Sequence, residues 1–129
     1  MKTDERILYI VDWIKNYCQT LISQPVTLIV GVSGGVDSAV TSTLAAKTNL
    51  KTVAVSMPIK QNTQQHELSI QHLTWLKENY KNVLTNVINL DNVFKSFELT
   101  MSNYTNELAF ANSRSRLRML TLYQIAQSN

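Results

Sequence analysis

The sequence is short of the residues that punctuate or cross-link a chain: one cysteine, two prolines and three glycines among 129 residues. The lone cysteine, Cys18, excludes an intramolecular disulfide and makes a reducing compartment the default expectation. It falls among the apolar positions of a helical pattern and is read as a core residue. Charge of one sign is scarce too. Twelve Lys and Arg against nine Asp and Glu leave a formal charge of +3. No basic run occurs, so nucleic acid is not an expected partner. No apolar stretch is long enough to span a bilayer, and the N-terminal MKTDERILYI lacks the apolar core of a secretion signal. The expectation is a cytoplasmic protein with no membrane segment. The two histidines, His66 and His72, stand six apart, which is no helical metal-ligand spacing, and both are read as surface residues. No Ser-His-Asp arrangement is visible.

What is present is alternation. The length suits one domain, and 44% apolar with 16% charged residues is an ordinary globular balance. Residues 3–22 carry Ile7, Leu8, Val11, Ile14, Cys18, Leu21 and Ile22 at helical spacing, with Asp4 and Glu5 in the first turn. Residues 26–32 are a continuous apolar run, as expected for a strand buried on both faces. The same succession then repeats: a helix over 36–47, a strand over 52–57, a helix over 61–80 with Leu68, Leu73 and Leu76 inward, and a strand over 83–90. Asp91 is the expected N-cap of a helix through residue 99, with Val93, Phe94 and Phe97 facing the sheet. A long helix covers 107–127. Trp13 and Trp75 are expected in the core, and Phe110 and Tyr104 are read as packing residues. The pattern predicts an α/β fold, a doubly wound and mostly parallel sheet with flanking helices.

All three glycines, Gly31, Gly34 and Gly35, fall within five consecutive positions, directly after the first strand. Adjacent glycines let the backbone turn sharply and approach a ligand. The N–H groups that follow, at a helix N-terminus, form an anion site. Ser33 and Ser38 add hydroxyls, and Asp37, which would repel a bare phosphate, makes sense as a ligand for Mg2+. The stretch is not a Walker A loop, which needs a lysine, nor a dinucleotide fingerprint, which needs a third glycine. A plain Gly-Gly turn with Ser and Asp as helix caps is the alternative.

Ser33 to Ser38 spell SGGVDS, similar to the SGGxDS loop of the N-type ATP pyrophosphatases, a superfamily with an adenine nucleotide alpha hydrolase-like fold. Within it, the helix before the loop and GVSGGVDSAV resemble ammonia-dependent NAD synthetases. So do Met57-Pro58 and the segment from Asn112 to Met119 (NSRSRLRM) with Leu122-Tyr123, which looks like the family's N-x-x-A-R-x-R-M…L-Y helix. Ser115 and Ala111 replace the usual Ala and Gly, small for small. The resemblance implies that Ser33, Gly34, Gly35, Val36, Asp37 and Ser38 hold the pyrophosphate of ATP, with Asp37 binding Mg2+ and Asp37 and Ser38 in the catalytic centre. It places Met57 beside adenine with Ser56 and Asn62 nearby, although Pro58 could equally just end a strand. The arginine helix can also be read physically. At 100° per residue Arg116 shares an apolar stripe with Asn112, Leu120 and Tyr123, where it wants an anionic partner such as a nucleotide phosphate or a carboxylate, and it is counted with the expected ATP-binding residues. Arg114 and Arg118 lie nearly opposite, and solvated or salt-bridged arginines are the alternative.

The expected function is therefore ATP-dependent amidation of nicotinic acid adenine dinucleotide to NAD through an adenylated intermediate, with ammonia as nitrogen source, in a homodimer. Other expectations stay open: another ATP pyrophosphatase such as a tRNA-modifying adenylating enzyme, or a catalytically incomplete remnant that binds nucleotide or dimerises. The resemblance covers nearly all of the chain but only part of the family's length, so residues 1–129 are expected to be one domain that lacks the C-terminal portion of the family fold.

Overall fold

The computed structural model describes residues 1–60 and 62–129. Helix α1 (Thr3–Gln19) precedes a regular alternation of β1 (Leu28–Gly31), α2 (Val36–Lys47), β2 (Thr52–Ser56), α3 (Thr63–Asn79) and β3 (Val83–Val87); α4 (Asp91–Thr100) and α5 (Glu107–Gln127) follow. The three strands are parallel in the order β1-β2-β3, with Leu28 opposite Thr52 and Thr52 opposite Val83.

Every residue of the middle strand β2 is buried, yet its side chains alternate between two cores. Val53 and Val55 enter one with Leu90, Phe94 and Phe110, while Ala54 enters the other with Ala46, Leu73 and Leu76. Thus α2 and α3 cover one face of the sheet and α4 and α5 the other, which is why the strand reads as a continuous apolar run. Phe94, 1% exposed, is the largest fully buried side chain, and its burial contributes about 2–3 kcal/mol.

Every expected element is present and most start at the expected residue, but several end one to three residues early; the ladder itself runs past the regular strands. Val32 N–H donates to Val55 O at 2.8 Å, and Ile88 N–H to Ser56 O at 2.8 Å. Helix α1 stops three residues early because other groups take its last carbonyls: Thr20 Oγ1 donates to Tyr17 O, and the Gln24 amide donates to Cys18 O and Leu21 O. Ile22 is left fully exposed, whereas Cys18 is buried as expected. The expected start of the third helix at Gln61 lies outside the described residues; Asn62 caps that helix by accepting the Gln65 N–H at 2.7 Å.

Several side chains differ from expectation. Asp91 is the first residue of α4 rather than its cap, because its carboxylate accepts the Lys60 N–H at 2.7 Å instead. Trp13 is 57% and Trp75 44% exposed; each finds a ring neighbour on its own helix, Tyr17 and His72 respectively. Leu68, Val93 and Tyr104 are exposed. Phe97, also exposed, meets the core through the rings of Phe94 and Phe110. Phe110 packs in the core as expected. Helical periodicity locates a face but does not say how wide a stripe the sheet covers.

Candidate functional site

After β1 the chain turns through Val32, Ser33, Gly34 and Gly35 into α2. Gly34 has φ +96°, and a Cβ there would stand 2.3 Å from the Gln65 carbonyl oxygen of α3. Conformation and space both require glycine at this position. The turn is tied by its own hydroxyls. Ser38 Oγ accepts the Ser33 N–H at 3.0 Å and lies 3.0 Å from Ser33 Oγ, which accepts the Gly35 N–H at 3.3 Å. Gly35 is the N-cap of α2 and offers no side chain. The first-turn N–H groups of Val36, Asp37 and Ser38 therefore have no side-chain cap, and they point outward at the positive end of the helix dipole. Such an end takes an anion.

Asp37 stands exposed in that first turn. Among the described residues no three His, Cys, Asp or Glu side chains form a cluster. A divalent cation here would thus have Asp37 as a single carboxylate ligand, with the rest from ligand oxygens and water. That donor set fits Mg2+, which is commonly held by one or two carboxylates plus phosphates.

Beside the turn lies a cavity of about 520 Å3 whose wall includes Ser33, Met57, Asn62, Gln65 and Arg118. The structure thus brings Ser33, Met57 and Asn62 to one cavity. Gly34 to Ser38 do not line this cavity but continue from its edge into α2. Gly31 forms part of the floor, since a Cβ there would lie 3.2 Å from Met57 Cε. Arg118 was not among the expected site residues. Its Nε donates to Met57 O at 2.9 Å, which anchors the side chain and leaves the terminal nitrogens of its guanidinium for a ligand. Burial, and after it the charge of Arg114, pushes the Arg118 guanidinium below its usual pKa; an anion in the cavity would offset that cost.

Arg116 is not part of this cavity. It lies on the outward face of α5 in a separate concavity with Asn112, Leu120 and Tyr123, so this stripe faces solvent in the single chain. Arg114 pairs with Glu107 at 3.4 Å and lies over the Phe94 ring. The sequence did carry a signal for Arg118. Counting four and seven residues on from it gives Leu122 and Ile125, and both pack against the core together with Leu117. The histidines also differ from expectation. Both are half-buried, and His72 Nε2 lies 2.9 Å from Ser42 Oγ. Burial lowers the His72 pKa, opposed by a hydrogen bond with the Ala39 backbone.

A parallel α/β sheet whose first strand ends in a glycine turn and a helix N-terminus without a side-chain cap, beside a cavity lined by an arginine, has the arrangement of α/β proteins in which ligands bind at the carboxyl ends of the strands. The family follows from comparison. The chain belongs to the NAD synthase family, whose model matches residues 6–129. An NH3-dependent NAD+ synthetase of Mesoplasma florum is 32% identical over all of this chain and 52% of its own length. Among solved structures, an NMN synthetase from Francisella tularensis superposes with a TM-score of 0.85 at 28% identity, covering 99% of this chain and 51% of its own. An NH3-dependent NAD synthetase from Campylobacter jejuni, solved in complex with a nitrate ion, gives 0.82 at 25% identity, covering 98% of this chain and 53% of its own. The chain spans about half the length of the relatives it matches. Among the described residues no helix is long and apolar enough to cross a membrane.

Proposed function

We propose that this chain carries the ATP-activating part of an NAD synthetase, which amidates nicotinic acid adenine dinucleotide. The observation that supports this most is the uncapped α2 N-terminus behind the Ser33–Ser38 turn, in a chain matched by the NAD synthase family over residues 6–129. A carboxylate oxygen of the substrate attacks the α-phosphorus of ATP, and the bond to the β,γ unit breaks, giving an acyl adenylate and pyrophosphate. Ammonia then attacks the acyl carbon, AMP leaves, and the amide remains.

In this reading the N–H groups of Val36, Asp37 and Ser38, with the Ser33 and Ser38 hydroxyls, receive the departing pyrophosphate. Their worth lies in being fixed before charge develops. Asp37 holds Mg2+, which neutralises phosphate charge when bound. Met57 and Asn62 border the adenosine portion, and Arg118 faces an anionic group in the cavity. Arg116 takes an anionic group of the dinucleotide on the outer face of α5. There Leu120 and Tyr123, 65% and 62% exposed, form the contact of a homodimer. The single cysteine supports a cytoplasmic location.

The test is pyrophosphate release from ATP and Mg2+ with ammonium and the acid dinucleotide, run in parallel with nicotinic acid mononucleotide because of the likeness to an NMN synthetase. Release that needs the dinucleotide and disappears in Asp37→Ala is the expected result. Release that follows the mononucleotide would correct the substrate. Absence of release with either, while ATP still binds in a Mg2+-dependent way, would reduce the function to nucleotide binding.

A further inference from the structure

Helix α3 presents three polar side chains at positions 65, 69 and 72, a spacing that places them on one face. Each reaches a different part of the anion-binding turn and its supports. Gln65 Nε2 donates to Ser33 O at 3.4 Å, Ser69 Oγ lies 2.9 Å from Ser56 Oγ at the end of β2, and His72 Nε2 lies 2.9 Å from Ser42 Oγ on α2. Ser42 is fully buried. Its hydroxyl already has an acceptor within its own helix, the Ser38 carbonyl at 2.7 Å. The Ala39 carbonyl, 3.1 Å from Ser42 Oγ, is a second acceptor there; with the Ser42 proton on either carbonyl, the Nε2–H tautomer of His72 is the one that donates to Ser42. The bond with His72 is therefore not needed to satisfy Ser42. What it adds is a fixed relation between α3 and the first two turns of α2, whose opening residues carry the uncapped N–H groups.

We propose that His72 is a positioning residue for the anion-binding turn, acting through Ser42 to set the direction of the Val36, Asp37 and Ser38 N–H groups. This rests on the reading that the turn receives pyrophosphate. The geometry ties the two helices near the anion end, where Ser42 lies one helical turn beyond Ser38. Trp75 stacks on the face of the His72 ring with centroids 5.7 Å apart.

The experiment is the dissociation constant of Mg2+-pyrophosphate, measured by calorimetry on the wild-type protein and on His72→Leu, His72→Gln and Ser42→Ala, each corrected for its folded fraction from a urea titration. Glutamine can return an N–H near the position of Nε2, so a rescue separates the bond from the bulk of the side chain. His72→Leu and Ser42→Ala are expected to bind about fivefold more weakly, and His72→Gln within about twofold of wild type. Equal affinities in all four proteins would overturn the proposal, and so would a glutamine variant as weak as leucine, which would assign His72 a packing role. A wild-type protein with no affinity for Mg2+-pyrophosphate would overturn the reading of the turn itself, and the proposal with it.

Discussion

The two faces of α5 carry arginines of the same short motif and give them opposite circumstances. On the inner face Arg118 is half-buried, bonded to the Met57 carbonyl, and flanked by Leu122 and Ile125 against the core. On the outer face Arg116 is exposed beside Leu120 and Tyr123, with no ion pair among the described residues. Two residues along a helix is a rotation of about 200°, so neighbouring arginines of one motif meet different surroundings. A positive charge drawn out of water is costly unless an anion joins it, whereas an exposed one costs little until another surface covers it. In the proposed reading the inner arginine belongs to the nucleotide cavity, and the outer one to a surface completed by a partner.

The strongest way to break this picture is at the turn facing Arg118. Gly34→Ala places a Cβ 2.3 Å from the Gln65 carbonyl oxygen at φ +96°, so α3 must move or the turn must flip. A loss of about 3 kcal/mol in urea unfolding is expected, with pyrophosphate binding abolished. Gly35→Ala meets nothing closer than the Ser33 hydroxyl at 3.5 Å and should stay within about 1 kcal/mol of wild type. Equal losses in the two variants would show that the close approach of α3 does not hold.

Next in size is the arginine pair itself. Arg118→Met leaves the buried Met57 carbonyl without its donor and removes the cavity's cation. Pyrophosphate or ATP affinity measured by calorimetry should fall about tenfold or more. Arg116→Met should leave that affinity within about twofold and act instead on the dinucleotide KM, or on dimerisation if analytical ultracentrifugation detects a dimer. If the two substitutions weaken ATP equally, the division between inner and outer face fails.

The smallest effect is one of pH. Burial lowers the His72 pKa from its usual 6.5, so the unfolded chain binds this proton more readily than the folded one. The stability His72 contributes is then complete above 6.5 and is lost as pH falls through 6.5 toward the folded value. His72→Gln should flatten that part of the pH dependence in urea titrations; an unchanged slope would mean the imidazole titrates normally in the fold.

The regularity that made the fold legible is local. Residues 36–47 and 107–127 read as helices and are helices: neither contains an internal proline or glycine, and Asn106 caps the second by accepting the Ala109 N–H at 3.0 Å. The SGGVDS turn was legible for the same reason, being one contiguous stretch. What was not legible depends on distant partners. Arg118 finds Met57 O across 61 positions, and His72 finds Ser42 across 30; neither pairing leaves a periodic mark. The apolar stripe through Leu120 and Tyr123 was visible, but amphipathic spacing cannot tell a face that meets the sheet from one left for another surface. Trp13 and Trp75 misled in the same way, since large rings on a helix usually face inward and here lie half outside.

The most direct test of the central claim is a crystal structure with Mg2+ and pyrophosphate. The account predicts phosphate oxygens about 3 Å from the N–H groups of Val36, Asp37 and Ser38, with the metal on Asp37 and the Arg118 guanidinium on the opposite wall. Pyrophosphate bound on the outer face of α5, or anywhere away from the α2 N-terminus, would contradict it.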